Sequence, residues 1–179
     1  MMGEKENMEF RKAAPDDLNG IMEIIKQARN YFRNMGINQW QNNYPNAEVI
    51  SRDISNKNGY VLVDNGVLIG TVTVIFGREK SYEYIEGKWV SGLDYAVIHR
   101  IAIRDQYKGK GLASVMLRNI EHMCLERGIH SIRTDTHEDN KPMQRLLHKN
   151  GYIYCGVVYL QDGSKRLAYE KLLDLDRGD

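Results

Sequence analysis

Apolar residues recur along this chain in two alternating periods. Between residues 15 and 33 they fall at Leu18, Ile21, Ile24, Ile25 and Ala28, the spacing of a helix buried along one side. Pro15-Asp16-Asp17 supplies the start of that helix. The runs 60–63 and 67–76 read as strands, and Asp64-Asn65-Gly66 between them is a strong hairpin turn. The same reading gives a strand over 8–12, a loop over 40–46 and a helix over 47–56. Further on come a strand over 94–103, a helix over 109–127, a strand over 130–135 and a helix over 140–150. Strands at 152–160 and 166–172 are joined by a turn at Asp162-Gly163-Ser164. Residues 77–92 are polar and aromatic and read as a looser hairpin excursion. The predicted order is β-α-α-β-β-β-α-β-α-β-β. It describes an α/β (α+β mixed sheet) fold with helices on both faces of a central sheet.

Composition narrows the class. The 179 residues fit one domain, 1–179, with 1–7 and 174–179 as flexible tails, and 42% hydrophobic content is enough for one core. A net charge of +1 gives no bulk attraction to nucleic acid or to a membrane surface. No apolar run has the length of a membrane helix, and the first residues lack the apolar core of a signal peptide. Two cysteines, Cys124 and Cys155, fit a reducing cytoplasm better than a disulfide framework. No Cys/His cluster has metal-ligand spacing, so no metal is expected.

Gln106-Tyr107-Lys108-Gly109-Lys110-Gly111-Leu112-Ala113-Ser114 carries the most chemistry. It joins an apolar strand to a helix through a glycine turn. The backbone N–H groups and the helix dipole at such a junction favour a phosphate or pyrophosphate. Gly109 and Gly111 let the backbone approach that ligand with no Cβ in the way. The spacing is not that of a P-loop, and Ser114 stands where a dinucleotide fold has its third glycine. A nucleotide-binding protein using this loop remains the competing reading. An ordinary strand–helix turn is the plain one.

The stretch instead matches [QR]-x-x-G-x-[GA] at Gln106, Gly109 and Gly111. A second block, Asn140-Lys-Pro-Met143-Gln-Arg-Leu-Leu147-His-Lys-Asn-Gly151-Tyr152, follows at the right distance. Together they resemble the GNAT superfamily of acetyl-CoA-dependent N-acetyltransferases. The resemblance implies a GNAT fold, acetyl-CoA as co-substrate and direct transfer to an amine. It implies that the strand before the loop splays at a bulge. Backbone groups of Ile101, Ala102 and Ile103 would then pair with the pantetheine arm, and the N–H groups of Lys108 to Ala113 would hold the pyrophosphate. Arg104, Lys108 and Lys110 would reach the ribose phosphate, and Asn140 would lie near the pantetheine. Leu147 stands where the family has the tyrosine aimed at the thioester sulfur.

His99 is the candidate base, because strict alternation places it on one strand face with Ile101 and Ile103. Its ordinary alternative is a histidine bonded within the sheet. Arg100 would point the other way as a structural ion-pair partner. The candidate acid is Tyr152, whose position in the family usually packs in the core; Tyr154, His148 and water are alternatives. Trp40, Tyr82, Tyr84 and Glu86 mark the expected amine pocket, combining aromatic faces with a carboxylate. The plain reading is that each of these caps the core or solubilises a hairpin. An aromatic hairpin would equally serve as a homodimer contact. The favoured function is acetylation of a primary amine on a small molecule. Alternatives are peptide or protein N-terminal acetylation and a non-catalytic acyl-CoA sensor.

Overall fold

Ile21, Ile24, Ile25, Ala28 and Phe32 are the buried residues of the first helix, so the apolar stripe lies inward as its spacing requires. A computed structural model gives the structure of residues 7–174. The expected tails fall outside the described residues except at their inner ends, where the Asn7 carbonyl accepts from the Asn65 N–H at 3.2 Å.

In chain order the elements are β1 (Met8–Lys12), α1 (Leu18–Asn34), α2 (Ala47–Ser55), β2 (Gly59–Asp64), β3 (Val67–Phe76) and β4 (Glu86–Gly87). There follow β5 (Ala96–Ile103), α3 (Leu112–Glu126), β6 (Ser131–Thr136), α4 (Lys141–Lys149), β7 (Ile153–Tyr159) and β8 (Lys165–Leu172). Three single turns of 3₁₀ helix cover Pro15–Asp17, Lys80–Tyr82 and Asp105–Tyr107. The strands form one mixed sheet in the order β1-β2-β3-β5-β6-β8-β7-β4. β5 and β6 run parallel.

The chain divides into two compact units. One comprises the residues up to Thr73 with Arg100–Met116. Its core joins Ile21 and Ile25 of α1, Ile50 and Ile54 of α2, and Val61 and Val63 of β2. Ile24 and Ala28 on the next stripe of α1 pack on Ala102. The Asn46 side chain caps α2 by accepting the Val49 N–H at 3.0 Å.

The other unit comprises Val74–His99 and the chain from Leu117 onward. Tyr82, Val97, Val158 and Ala168 form its core, with Ile85, Trp89 and Tyr95 against them. Glu170, buried in β8, accepts hydrogen bonds from Val90 N–H, Ser91 N–H, Ser91 Oγ and Ser131 Oγ. The Arg133 guanidinium lies 4.2 Å from the Trp89 ring centre and 4.1 Å from that of Tyr95. Its Nε is 3.5 Å from Glu170.

Two elements differ from the expected pattern. The 77–92 excursion does not pair with itself; β4 pairs antiparallel with β7, Glu86 opposite Val157 and Gly87 opposite Gly156. Gly87 and Gly156 have φ of +129° and +139°. A Cβ on either would run into the opposite backbone, at the Cys155 or the Glu86 carbonyl. The third helix starts at Leu112 rather than 109, because Gly109 and Gly111 take φ of +77° and +74°, outside the helical region. Among the described residues no helix is long and apolar enough to cross a membrane.

Candidate active site

The glycine loop is anchored at its base and open at its top. Leaving β5, the Arg104 N–H donates to the Ile69 carbonyl at 2.8 Å, and the Asp105 N–H donates to Gln27 Oε1 of α1 at 2.8 Å. Leu112, at the start of α3, is buried. Between these anchors, among the described residues, nothing beyond the adjoining residues lies within 4 Å of where a Cβ on Gly109 or Gly111 would sit. Both positive φ values favour glycine. The Val115 N–H closes the first turn of α3 on the Gly111 carbonyl at 3.2 Å. The N–H groups of Leu112 and Ala113 lie in that first turn, where the helix dipole adds to their partial positive charge. Such a junction suits a phosphate or pyrophosphate, the group that acetyl-CoA would place there.

The cations nearby are unequal. Lys110 and Lys108 are exposed on the loop. Lys108 Nζ is 2.8 Å from Asp105 and 4.6 Å from the Tyr31 ring centre, while Lys110 Nζ is 5.2 Å from that of Tyr107. Gln106 is exposed, Ala113 half-buried and Ser114 buried. Arg104, expected to reach a ribose phosphate, is turned away. Its Nε donates to the Leu68 carbonyl at 2.8 Å and its Nη1 to Glu23 at 3.2 Å.

β5 is interrupted where the family resemblance places a bulge. The strand pairs with β6 from Ala96 opposite Ile132 to Ile98 opposite Thr134, and the Thr134 hydroxyl donates to the Ile98 carbonyl at 2.9 Å. Two residues on, Arg100 takes φ of +53°. A left-handed residue breaks the period of two. The shared face for His99, Ile101 and Ile103 assumed an unbroken strand, so alternation no longer carries it past Arg100. Arg100 is an ion-pair partner as expected: Nε and Nη2 meet the two oxygens of Asp53 at 2.8 and 2.7 Å, and Nη1 donates to Tyr44 Oη at 2.8 Å. Beyond it Ile101 and Ile103 are half-buried, Ala102 is buried, and the missing side chain of Gly70 leaves room for Ile103 and Met116.

His99 stands against a carboxylate that the sequence did not suggest. Its Nε2 is 3.3 Å from Glu79 Oε2, with side-chain exposures of 21% and 28%. Glu79 is fixed in turn. Its Oε1 accepts from the Ser81 N–H at 3.3 Å, and its own N–H donates to Tyr95 Oη at 3.1 Å. The hydrogen bond from His99 holds the Glu79 carboxyl below the usual range, against the opposing effect of burial. The two residues are 20 apart on different segments, and no local pattern links them.

Tyr152 is corrected as the candidate acid. It is 2% exposed, and among the described residues its hydroxyl has no hydrogen-bond partner. Burial pushes that hydroxyl well above its ordinary range, and the charge of Glu121 adds to the effect. A group with no accessible surface cannot hand a proton to a leaving group, so Tyr152 is the core residue its family position suggested. Leu147 is also buried. Asn140 Oδ1 caps α4, accepting the Met143 N–H at 3.2 Å.

The four residues expected to mark the amine pocket have unlike surroundings. Trp40 packs edge-on to Phe32 with ring centres 5.5 Å apart. Tyr82 is buried and donates to Asp135 at 2.6 Å. Tyr84 is 67% exposed, and Glu86 accepts from the Tyr159 hydroxyl at 3.0 Å on the outer edge of the sheet. The second unit does contain a cleft of about 390 Å³, and Tyr82, expected at the amine pocket, lines it together with Phe76, Arg78, Glu83, Asp94, Tyr95 and Ile129. Tyr95, which supports Glu79, belongs to this wall.

Comparison with known proteins adds the family. The sequence profile of the acetyltransferase (GNAT) family matches residues 23–152. The chain is 40% identical to an acetyltransferase of the GNAT family from Streptococcus agalactiae 2603, with a TM-score of 0.85 over 93% of this chain and 96% of that one. It is 25% identical over 116 residues to the S-alkylcysteine N-acetyltransferase of Bacillus subtilis (strain 168), covering 65% of this chain and 60% of the relative's length. In fold alone it is similar to a Salmonella typhimurium structure determined with its cofactor acetyl-CoA, at 17% identity and a TM-score of 0.68 over 96% of each chain.

Proposed function

Since the chain belongs to the acetyltransferase (GNAT) family, we propose that it transfers the acetyl group of acetyl-CoA to a primary amine on a small molecule. The observation that carries the cofactor assignment is the open loop at Gly109 and Gly111, both at positive φ ahead of α3. Acetyl-CoA supplies an activated acyl group, a thioester carbonyl open to attack by an amine. The N–H groups of Gly109 to Ala113 bind the pyrophosphate, the Lys108 N–H being held by the Asp105 carbonyl at 3.2 Å, and the Lys108 and Lys110 side chains add charge at the rim. The backbone of Ile101 to Ile103 pairs with the pantetheine arm. His99 takes the proton from the acceptor's ammonium, freeing the nitrogen lone pair. With Leu147 in place of tyrosine and Tyr152 buried, the departing thiolate takes its proton from water, which a thiol pKa of about 8–9 permits.

The acceptor class is supported by the Bacillus subtilis relative, whose name puts its chemistry on the amine of a modified amino acid. Phe76 and Ile129 in the cleft suit an apolar side chain, and Arg78, Glu83 and Asp94 suit the two charges of an amino acid. Two unpaired, buried cysteines support a reducing, cytoplasmic setting.

The test is CoA release from acetyl-CoA with S-alkylcysteines, other amino acids, polyamines, arylalkylamines, aminoglycosides and short peptides. Gly109→Asp is the control. Release that needs an amine and disappears in Gly109→Asp establishes the transferase and names its substrate class. Acetyl-CoA binding without release from any amine would favour the acyl-CoA sensor, which the buried Leu147 supports.

A further inference from the structure

Glu79 has no role in the reaction as described so far, yet its carboxylate faces His99 at 3.3 Å. An ionised carboxylate only accepts hydrogen bonds. A neutral imidazole facing one at 3.3 Å through Nε2 must therefore carry its proton on Nε2. Among the described residues, no hydrogen bond reaches His99 Nδ1. The carboxylate cannot swing away freely, because the Ser81 N–H holds Oε1 and the Glu79 N–H is held by Tyr95. The turn that follows, Lys80–Tyr82, is locked by the buried Tyr82 ring, 5.2 Å from the ring centre of Trp89 and 6.4 Å from that of Tyr95.

We propose that Glu79 is a positioning residue that fixes His99 as its Nε2–H tautomer, making Nδ1 the atom that removes the substrate proton. The inference rests on the reading of His99 as base. In that step the proton leaves the acceptor's ammonium for Nδ1, and the nitrogen keeps the electron pair of the broken N–H bond. The product is an imidazolium whose Nε2–H still faces the Glu79 carboxylate, so the new charge is compensated where it forms. Both side chains keep some exposure, so the proton can pass on to water.

The substitution Glu79→Gln tests this with an inversion rather than a simple loss. The Ser81 N–H requires an oxygen, so a glutamine there turns its carbonyl to Ser81 and its NH₂ toward His99. A donor facing Nε2 requires a lone pair on Nε2 and moves the proton to Nδ1. Long-range ¹H–¹⁵N spectra of histidine-labelled protein distinguish the tautomers, and the His99 signals are assigned by their absence in His99→Ala. The expected result is Nε2–H in the parent and Nδ1–H in Glu79→Gln. With it, kcat falls about 100-fold, KM for acetyl-CoA stays within about twofold, and Glu79→Asp recovers part of the loss. Nδ1–H in the parent, or an unchanged tautomer in Glu79→Gln, overturns the positioning role whatever the rates do. An unchanged kcat in His99→Ala instead removes His99 as base, a separate failure that the spectra do not share.

Discussion

Arg100 reaches Asp53 with two parallel hydrogen bonds while its own backbone stands at φ +53°. The guanidinium and the carboxylate are 12% and 11% exposed, and the Thr73 hydroxyl donates to the same carboxylate oxygen at 2.8 Å. The side chain thus holds a backbone conformation that a non-glycine residue otherwise avoids. Removing the carboxylate leaves a nearly buried cation uncompensated. Asp53→Ala is expected to destabilise the protein by about 3–5 kcal/mol, read as a lower urea midpoint at constant slope. A change under about 1 kcal/mol would mean that water takes over the carboxylate's place.

Acid sensitivity has a local source at the first turn. Arg11 pairs with both oxygens of Asp17 at 2.7 and 3.0 Å, and Asp17 also accepts the Ala14 N–H at 2.7 Å. Arg11 first, then the Ala14 N–H, depress the Asp17 carboxyl below its ordinary value against the effect of burial. A depressed folded value stabilises the fold above the unfolded one, about 3.9, and that stability fades as pH falls through the folded value. Asp17→Asn should cost about 1 kcal/mol at pH 7, reduced from a buried pair because Arg11 is 35% exposed. The gap between parent and variant should narrow as pH falls below about 4. Unfolding curves at pH 7 and pH 3 settle it; an equal gap at both would show that the charge of Asp17 contributes nothing.

Neither cysteine is built to react. Burial pushes the Cys124 thiol up to about 12, with the charge of Glu121 adding to it. Burial raises the Cys155 thiol as well, and its Sγ donates to the Ile153 carbonyl at 3.3 Å. The thiolate is the reactive form. Folded protein at pH 8 should give almost no fast reaction with a thiol reagent, and denatured protein should give both thiols. One rapid equivalent in the folded state would contradict the burial of one of them.

The two-residue strand β4 hangs on a glycine pair. Gly156→Ala adds a methyl group where the Glu86 carbonyl already lies, at a φ of +139°. Strain and overpacking together would cost about 2–4 kcal/mol if the ladder held. Two residues of pairing cannot withstand that, so β4 should detach locally while the rest stays folded. Amide exchange should rise over residues 78–92 and stay unchanged in β6 and β8. Since that segment carries Glu79, kcat should fall in the same variant. Unaltered exchange in the segment would exclude detachment.

Local signals made most of the fold legible. The isoleucine spacing of α1, the Asn65-Gly66 turn at φ +47° and +82°, and the Asn46 and Asn140 caps each follow from residues within one turn of one another. The glycine loop was legible for the same reason. Arg100 carried a sign, since a charged residue inside an apolar strand needs a partner, but nothing in the strand named Asp53 or the positive φ. The Glu79–His99 contact joins residues 20 apart and the β4–β7 pairing residues 69 and 71 apart, and both depend on how the 77–92 segment packs. That segment is aromatic because Tyr82, Trp89 and Tyr95 pack on one another and, at the latter two, on Arg133. Of the residues expected at an amine pocket, Tyr82 does line the cleft, but as a buried ring of this core.

The back-to-back glycines at 87 and 156 also bear on how this chain can drift over generations. Every missense change at either codon adds at least a Cβ, so no single step leaves the contact intact. Two positions confined to glycine would share no pattern of paired substitution. The attachment that places Glu79 beside His99 would thus leave no covariation among descendants, and its history would be written as silence at two glycine codons.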